Sequence, residues 1–149
     1  MCEGELHPDR KGRVMMIGTL PERTLEAVFE TIPIEFSVVD ANDQVLAWNR
    51  HETRIFKRPE GVIGRNVRDC HPKASVEKVE AILQEMKAGT RDKARFWIDL
   101  AIGDGGAKQK ILIEYYALRG ATGKYLGCLE CSQNISDLQA LSGEKRLLG

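Results

Sequence analysis

Cysteine is scarce in this chain of 149 residues, and long apolar runs are missing. The four cysteines are too few and too scattered to staple a domain of this length, so reduced thiols are expected. The longest apolar runs fall far short of the ~20 residues that a transmembrane helix needs. The opening residues, MCEGELHPDRKGR, are polar and include acids, unlike a signal peptide. These absences predict a soluble, cytoplasmic protein that has no membrane partner.

Neither sign of charge is in excess, because 22 basic residues balance 22 acidic ones. A nucleic-acid partner is therefore not expected. The chain also lacks G-x-S-x-G, H-E-x-x-H and a glycine-rich phosphate loop that precedes a helix. These missing motifs predict a chain that is not an enzyme and has no catalytic residues.

Apolar residues at helical spacing predict three helices. The first begins near Pro21 and stops at Thr31–Ile32, because the residue before a proline is pushed out of the helical region. The second covers 76–88, with Ser75 as its N-cap and Gly89 at its end. The third is predicted over 136–148, where leucines recur.

Alternating and β-branched residues predict five strands, at residues 36–40, 45–49, 94–102, 110–118 and 125–135. Short turns join the first two strands and the last three, so neighbours in each group pair antiparallel. The order of elements is that of an α+β domain.

Two stretches resemble the PAS sensor domain. The first is FSVVDANDQVLAWNRHETRIFKRPEGVIGRNVRDC, and the second is YLGCLECSQNISDLQAL, where the last strand runs into a helix. The residues that match the opening signature are Asp40, Asn49, Gly64 and Val67. The segments RIFKRP, CHP and GEKRLL further resemble a subgroup of PAS domains that is often associated with hemerythrin-like domains.

This resemblance implies a five-stranded antiparallel sheet that cups a cavity. Short helices and the longer helix would lie on one face, and a terminal helix would follow the last strand. The chain then divides into a flexible arm at 1–20, a PAS domain at 21–135 and a C-terminal helical extension at 136–149. Its implied function is that of a sensory module that binds a small ligand or cofactor and signals through a homodimer to a partner protein or domain. A ligand-free dimerisation scaffold is an alternative.

A histidine just before the second predicted helix carries the most specific chemical hypothesis. Some haem-binding PAS domains resemble this chain in placing a histidine at that position, so His71 is a candidate axial ligand, with Cys70 beside it. His51 is a second candidate. Alternatively, His71 caps a loop by hydrogen bonding. Val67 stands where the flavin-binding branch has its reactive cysteine, so haem is the leading candidate cofactor and flavin a weaker one.

Apolar positions on the predicted helix and strands either line the cavity or fill a core, and the sequence does not distinguish these. The candidates for cofactor contact are Val79, Ile82, Leu83, Met86, Phe96 and Ile98, and further apolar positions are Phe36, Val38 and Leu100.

Three other features have open interpretations. Between Arg50 and Lys73, seven basic residues outnumber three acidic ones, which indicates either a rim that holds an anion or a solvated surface. Cys128 and Cys131 form C-x-x-C, but positions three apart on a strand point to opposite faces, which disfavours a shared metal. Trp97, on the polar side of its strand, is covered by a dimer partner or by a terminal helix of the same chain.

Overall fold

The computed structural model describes residues 16–147, which form a five-stranded antiparallel sheet and three helices. The helices are α1 (Glu22–Thr31), α2 (Lys73–Ala88) and α3 (Ser136–Gln139), and the strands are β1 (Glu35–Asp40), β2 (Val45–Trp48), β3 (Lys93–Ala101), β4 (Lys108–Arg119) and β5 (Tyr125–Asn134). Residues 1–15 of the predicted N-terminal arm lie outside the described residues, and 16–20 have no helix or strand. Within 16–147, no helix has the length and apolar character needed to cross a membrane.

The sheet has the strand order β2-β1-β5-β4-β3, so the last strand in sequence lies in the middle. One side of β5 pairs with β1 and the other with β4, and every pairing is antiparallel. The predicted five-stranded antiparallel sheet is confirmed. Because β5 joins the two hairpins, residues far apart in sequence meet on its inner face, which faces α2.

The helix boundaries confirm some of the local signals and correct others. Helix α1 ends at Thr31, as Pro33 predicted, and Gly89 ends α2 with φ +79°. Ser75 was wrongly predicted as the N-cap: α2 begins three residues earlier than expected, and Pro72 occupies that position without a side-chain cap. Proline is compatible with the start of a helix because it lacks only an N–H that would be unpaired there.

The predicted helix at 136–148 is wrong beyond one turn. Helix α3 ends at Gln139, and the described residues that follow contain no helix. Leu141 and Leu147 are 75% and 96% exposed, so the recurring leucines have no apolar surface to pack against. A short helix without such packing is only marginally stable.

Helix α2 packs on the inner face of the sheet and fills most of the space there. Val79, Leu83 and Met86 are buried in the same core cluster as Ile111 and Ile113 of β4. Deleting a buried aliphatic side chain of this size typically costs about 2–5 kcal/mol, so this contact is a large part of the stability of the domain.

Strand β1 presents polar residues to the interior, contrary to its apolar alternation. Glu35, Ser37 and Val39 are the buried positions. Phe36 instead lies on the outer face, where its ring meets that of Phe29 edge-on with centroids 5.3 Å apart. Val38 shares that outer face, so the expectation that both residues point inward is wrong for this strand.

Candidate functional site

A small cavity lies between α2 and the sheet. Its volume is about 20 Å³, enough for one water molecule. Its apolar lining residues are Val39, Val67, Val79 and Leu83, and its polar ones are Ser37, His71, Tyr115, Cys128 and Glu130. Five residues with polar side-chain atoms therefore converge on a space that is otherwise surrounded by the hydrophobic core.

His71 stands at one side of this cavity, directly after the 3-10 turn Val67–Cys70. Its Nδ1 lies 2.9 Å from the carbonyl oxygen of Val67, and its Nε2 lies 3.4 Å from the hydroxyl of Tyr115. A carbonyl only accepts, so Nδ1 carries the hydrogen in this contact. The ring therefore joins the turn before α2 to strand β4.

Tyr115 and Glu130 face each other across the pairing of β4 with β5. Burial raises the pKa of Tyr115 well above its ordinary value, and the Glu130 carboxylate raises it further. The hydroxyl is therefore protonated throughout the physiological range. An arginine guanidinium, that of Arg58, donates to Glu130 Oε2 at 3.3 Å and balances its charge.

A second buried ion pair anchors the chain segment that carries Arg58. Arg54 donates to the carbonyl oxygens of Phe36, Asn49 and Phe56 and to Ser37 Oγ, at 2.9–3.1 Å. Its Nη2 lies 3.7 Å from Glu35 Oε1, and both side chains are at least 96% buried. Burial lowers the pKa of Arg54, and the Glu35 carboxylate opposes that effect. Because Arg54 reaches Ser37, this network contacts the lining of the cavity.

The local excess of basic residues is partly a solvated surface, because Lys57, Arg65 and Lys73 are exposed, and partly a set of ion pairs. Arg54 and Arg58 are buried with glutamates of β1 and β5. Arg68 pairs with Asp43 at 3.0 Å and also with Glu80, holding the pKa of Glu80 at about 2. The acids that balance these residues come from other parts of the chain, which is why a local count missed them.

The structure distributes the predicted site residues over several places. His71, Val79 and Leu83 line the cavity. Met86 is fully buried in the core, which Cys70, Ile82 and Phe96 pack against, whereas Ile98 is 37% exposed. His51 lies elsewhere, in an open groove of about 460 Å³ with Glu30 and Arg50, where its Nδ1 accepts from the Trp48 indole at 3.1 Å. The lining residues that the sequence analysis did not predict are the polar Ser37, Tyr115, Cys128 and Glu130 and the apolar Val39 and Val67.

A haem does not fit this arrangement. The cavity beside His71 is far smaller than a porphyrin, and Nε2 of the ring already faces Tyr115. Among residues 16–147, no cluster of three or more histidine, cysteine, aspartate or glutamate side chains forms a metal site. His71 as an axial ligand therefore stays a prediction, with no geometric support in this conformation.

The two cysteines of the C-x-x-C segment point to opposite faces of β5, as the strand period predicts. Cys128 lines the cavity beside Val39, and Cys131 is paired with Phe36 on the outer face. Burial raises the pKa of Cys128 to about 12 and that of Cys131 to about 11. Both thiols are protonated and unreactive at neutral pH, unlike a metal or redox pair.

Residues 25–136 match the PAS domain family. The chain belongs to the PAS domain family. PAS domains are generally sensory and signalling modules rather than catalysts. The resemblance given by the signature residues is thereby confirmed, whereas its association with hemerythrin-like domains stays a prediction.

Solved structures show the same fold. The C-terminal domain of a Streptococcus mutans protein has 26% identity and a TM-score of 0.72, over 84% of this chain and 92% of that one. The PAS domain of a Colwellia psychrerythraea protein has 15% identity and a TM-score of 0.56, over 77% and 97%. VqmA bound to DPO has 17% identity and a TM-score of 0.57, over 78% and 58%. No curated protein matches the chain in sequence.

Proposed function

We propose that this PAS domain is a non-catalytic sensory module. It binds a small ligand in the cavity between α2 and the sheet and transmits the bound state through a homodimer to a signalling partner. The observation that carries ligand binding is the convergence of Ser37, His71, Tyr115 and Glu130 on one cavity. Buried polar groups destabilise a protein unless they are hydrogen-bonded, so a core evolved only for packing has no reason to collect them there.

The size of the cavity constrains how this binding occurs. At about 20 Å³ it holds one water, so a larger ligand requires side chains of α2 to move. Leu83 and Val79 are the residues of α2 that line it. VqmA, a structural neighbour of this chain, has been solved bound to DPO, which supports ligand binding here. Ligand binding is thus proposed as an induced fit around a preformed polar group.

Blocking the cavity tests this function. We would titrate ¹⁵N-labelled protein with a library of small organic fragments and follow the amide signals of Val79, Leu83 and Tyr115. Val79→Phe should abolish the shifts, whereas Ala81→Phe, at an exposed position of the same helix, should preserve them. Val79→Ile, which adds one methylene, is the second blocking variant if the phenylalanine prevents folding. Shifts that persist in every folded blocking variant would contradict the proposed site, as would a wild-type protein that no fragment shifts.

The proposed homodimer uses the outer face of the sheet and α1. Trp97 is 63% exposed on that face, uncovered by any described helix. Helix α1 has an apolar stripe but buries none of its residues, and Val28 and Phe29 are 38% and 41% exposed. An exposed apolar surface of this kind is typical of an interface. A solved structure of Vibrio cholerae VqmA, also similar to this chain, is that of a dimer, which supports a dimer here.

Light scattering after size exclusion tests the dimer. Trp97→Glu should convert a dimer into a monomer, because a charge would be buried in the interface. Ile63→Glu is the control, since Ile63 is 49% exposed but follows the turn Glu60–Val62 outside the sheet. A wild-type monomer at high micromolar concentration would refute the dimer and leave ligand binding untouched.

A ligand-free dimerisation scaffold is the second candidate function. It is favoured by the packing of Leu83 and Met86 against β4, which leaves so little space. The fragment titration separates the two, because a scaffold would give no shifts at Val79. The predicted cytoplasmic location and hemerythrin-like partner remain predictions.

A further inference from the structure

The hydrogen bonds around the cavity have a direction that sets which ligand it accepts. Nδ1 of His71 donates to the Val67 carbonyl, so in the neutral ring Nε2 has a lone pair and no hydrogen. The hydroxyl that faces Nε2, that of Tyr115, must then donate its hydrogen to the ring. The Tyr115 oxygen retains lone pairs but has no hydrogen left for a ligand.

Most of the other polar groups of the lining accept hydrogen bonds, although the Ser37 hydroxyl and the Cys128 thiol each keep a hydrogen. The carboxylate of Glu130 receives a hydrogen bond from Arg58. Ser37 Oγ receives one from Arg54 and keeps its own hydrogen. Neither arginine is among the residues that line the cavity, so the N–H groups that remain on them, including the unpaired Nε of Arg58, lie behind it. Oxygen lone pairs therefore dominate the polar side of the cavity, and Val39, Val67, Val79 and Leu83 form its apolar side.

We propose that this cavity selects small neutral molecules that have an apolar body and one N–H or O–H donor. This inference rests on the proposed function and names its ligand class. A neutral donor is favoured over a cation because Arg58 already balances the charge of Glu130. A ligand that lacks the donor would displace the water from these buried oxygens and would offer them no hydrogen bond in its place, so it would bind more weakly.

Pyrrole and thiophene are suitable probes, because the rings have nearly the same size and only pyrrole has an N–H. Binding would be measured by NMR titration of the wild type and of Leu83→Ala, which enlarges the cavity. Pyrrole should bind about tenfold more tightly than thiophene in both proteins. One buried hydrogen bond to such an oxygen changes a dissociation constant by about that factor. Leu83→Ala should bind both rings more tightly, with the preference retained.

Glu130→Gln tests the origin of the preference. The amide replaces a group that only accepts by one that also donates, so the ratio of pyrrole to thiophene affinity should fall, with thiophene affinity unchanged. The matched control is Glu114→Gln, on the outer face of β4, where Glu114 pairs with Lys93 and the ratio should stay near ten. A ratio that Glu130→Gln does not change would overturn the assignment.

The remaining outcomes separate this inference from the proposed function. Equal binding of pyrrole and thiophene to the wild type would refute donor selection and leave ligand binding intact. Binding confined to Leu83→Ala, with the preference for pyrrole, would support donor selection and refute ligand binding by the natural chain. Absence of binding to both proteins would refute both proposals.

Discussion

The buried Arg54–Glu35 pair provides the strongest test of how this fold is held together, through the substitution Arg54→Met. The change removes the hydrogen bonds to three carbonyl oxygens and to Ser37 Oγ, while the methionine fills most of the volume. It also leaves the carboxylate of Glu35, whose side chain is only 4% exposed, without its cation. Removing one partner of a buried pair typically destabilises a protein by about 3–5 kcal/mol.

Urea unfolding followed by circular dichroism measures this free energy, and thermal unfolding should show a decrease of about 6–20 °C. Arg95→Met is the control, because Arg95 is 57% exposed and its pairing with Glu114 has a value of at most about 1 kcal/mol. The double variant Glu35→Gln/Arg54→Met should recover part of the loss, because no isolated charge remains. A loss below about 1 kcal/mol for Arg54→Met would refute the reasoning, and so would a control that is equally destabilised.

Three other substitutions and labels test separate parts of the structure. Gly127→Ala should lower the free energy of unfolding, measured with urea, by about 2–4 kcal/mol. The reason is that φ is +154° at this residue and an added Cβ would lie 2.0 Å from the Val39 carbonyl oxygen. An unchanged stability would contradict this backbone geometry. Iodoacetamide at pH 8 should label Cys128 roughly a thousandfold more slowly than an unperturbed thiol, because burial raises the pKa of Cys128 from 9.0 to about 12. Rapid labelling of Cys128 in the folded protein, detected by mass spectrometry, would contradict this. Hemin added to the protein should give the same Soret spectrum with wild type and His71→Ala, and a spectrum that depends on His71 would restore the haem hypothesis.

The secondary structure was predictable wherever a local signal coincides with burial. Strand β3 alternates clearly because one of its faces is open to solvent, and Pro33 and Gly89 end helices for reasons internal to their own backbone. The helix expected after Ser136 failed because its leucines had spacing but no partner surface. The spacing of apolar residues shows which face of a segment could be buried. Whether that face is buried depends on an apolar surface that other parts of the fold provide.

The candidate site was harder to predict because its polar residues break the hydrophobic pattern. His71 was noticed as a rare residue before a helix, but Ser37 and Glu130 are ordinary residue types within strands. Their burial depends on the inverted face of β1 and on Arg54 and Arg58, which follow in a segment that has no regular period. The one available signal was the alternation in β4, which places Tyr115 on the same face as Ile111 and Ile113.

The inward-facing polar residues of β1 explain how the segment 54–58 stays ordered although it contains no helix or strand. Glu35 accepts the backbone N–H groups of Ile55 and Phe56 at 2.6 and 3.1 Å, and Arg54 donates to carbonyl oxygens on both sides of it. Backbone groups that would otherwise be buried and unpaired are satisfied by two charged side chains. Arg58 belongs to this segment and donates to Glu130, which lines the cavity, so a hydrogen bond joins the segment to the cavity lining. The polar interior of β1 thus holds the loop in place beside the proposed ligand site.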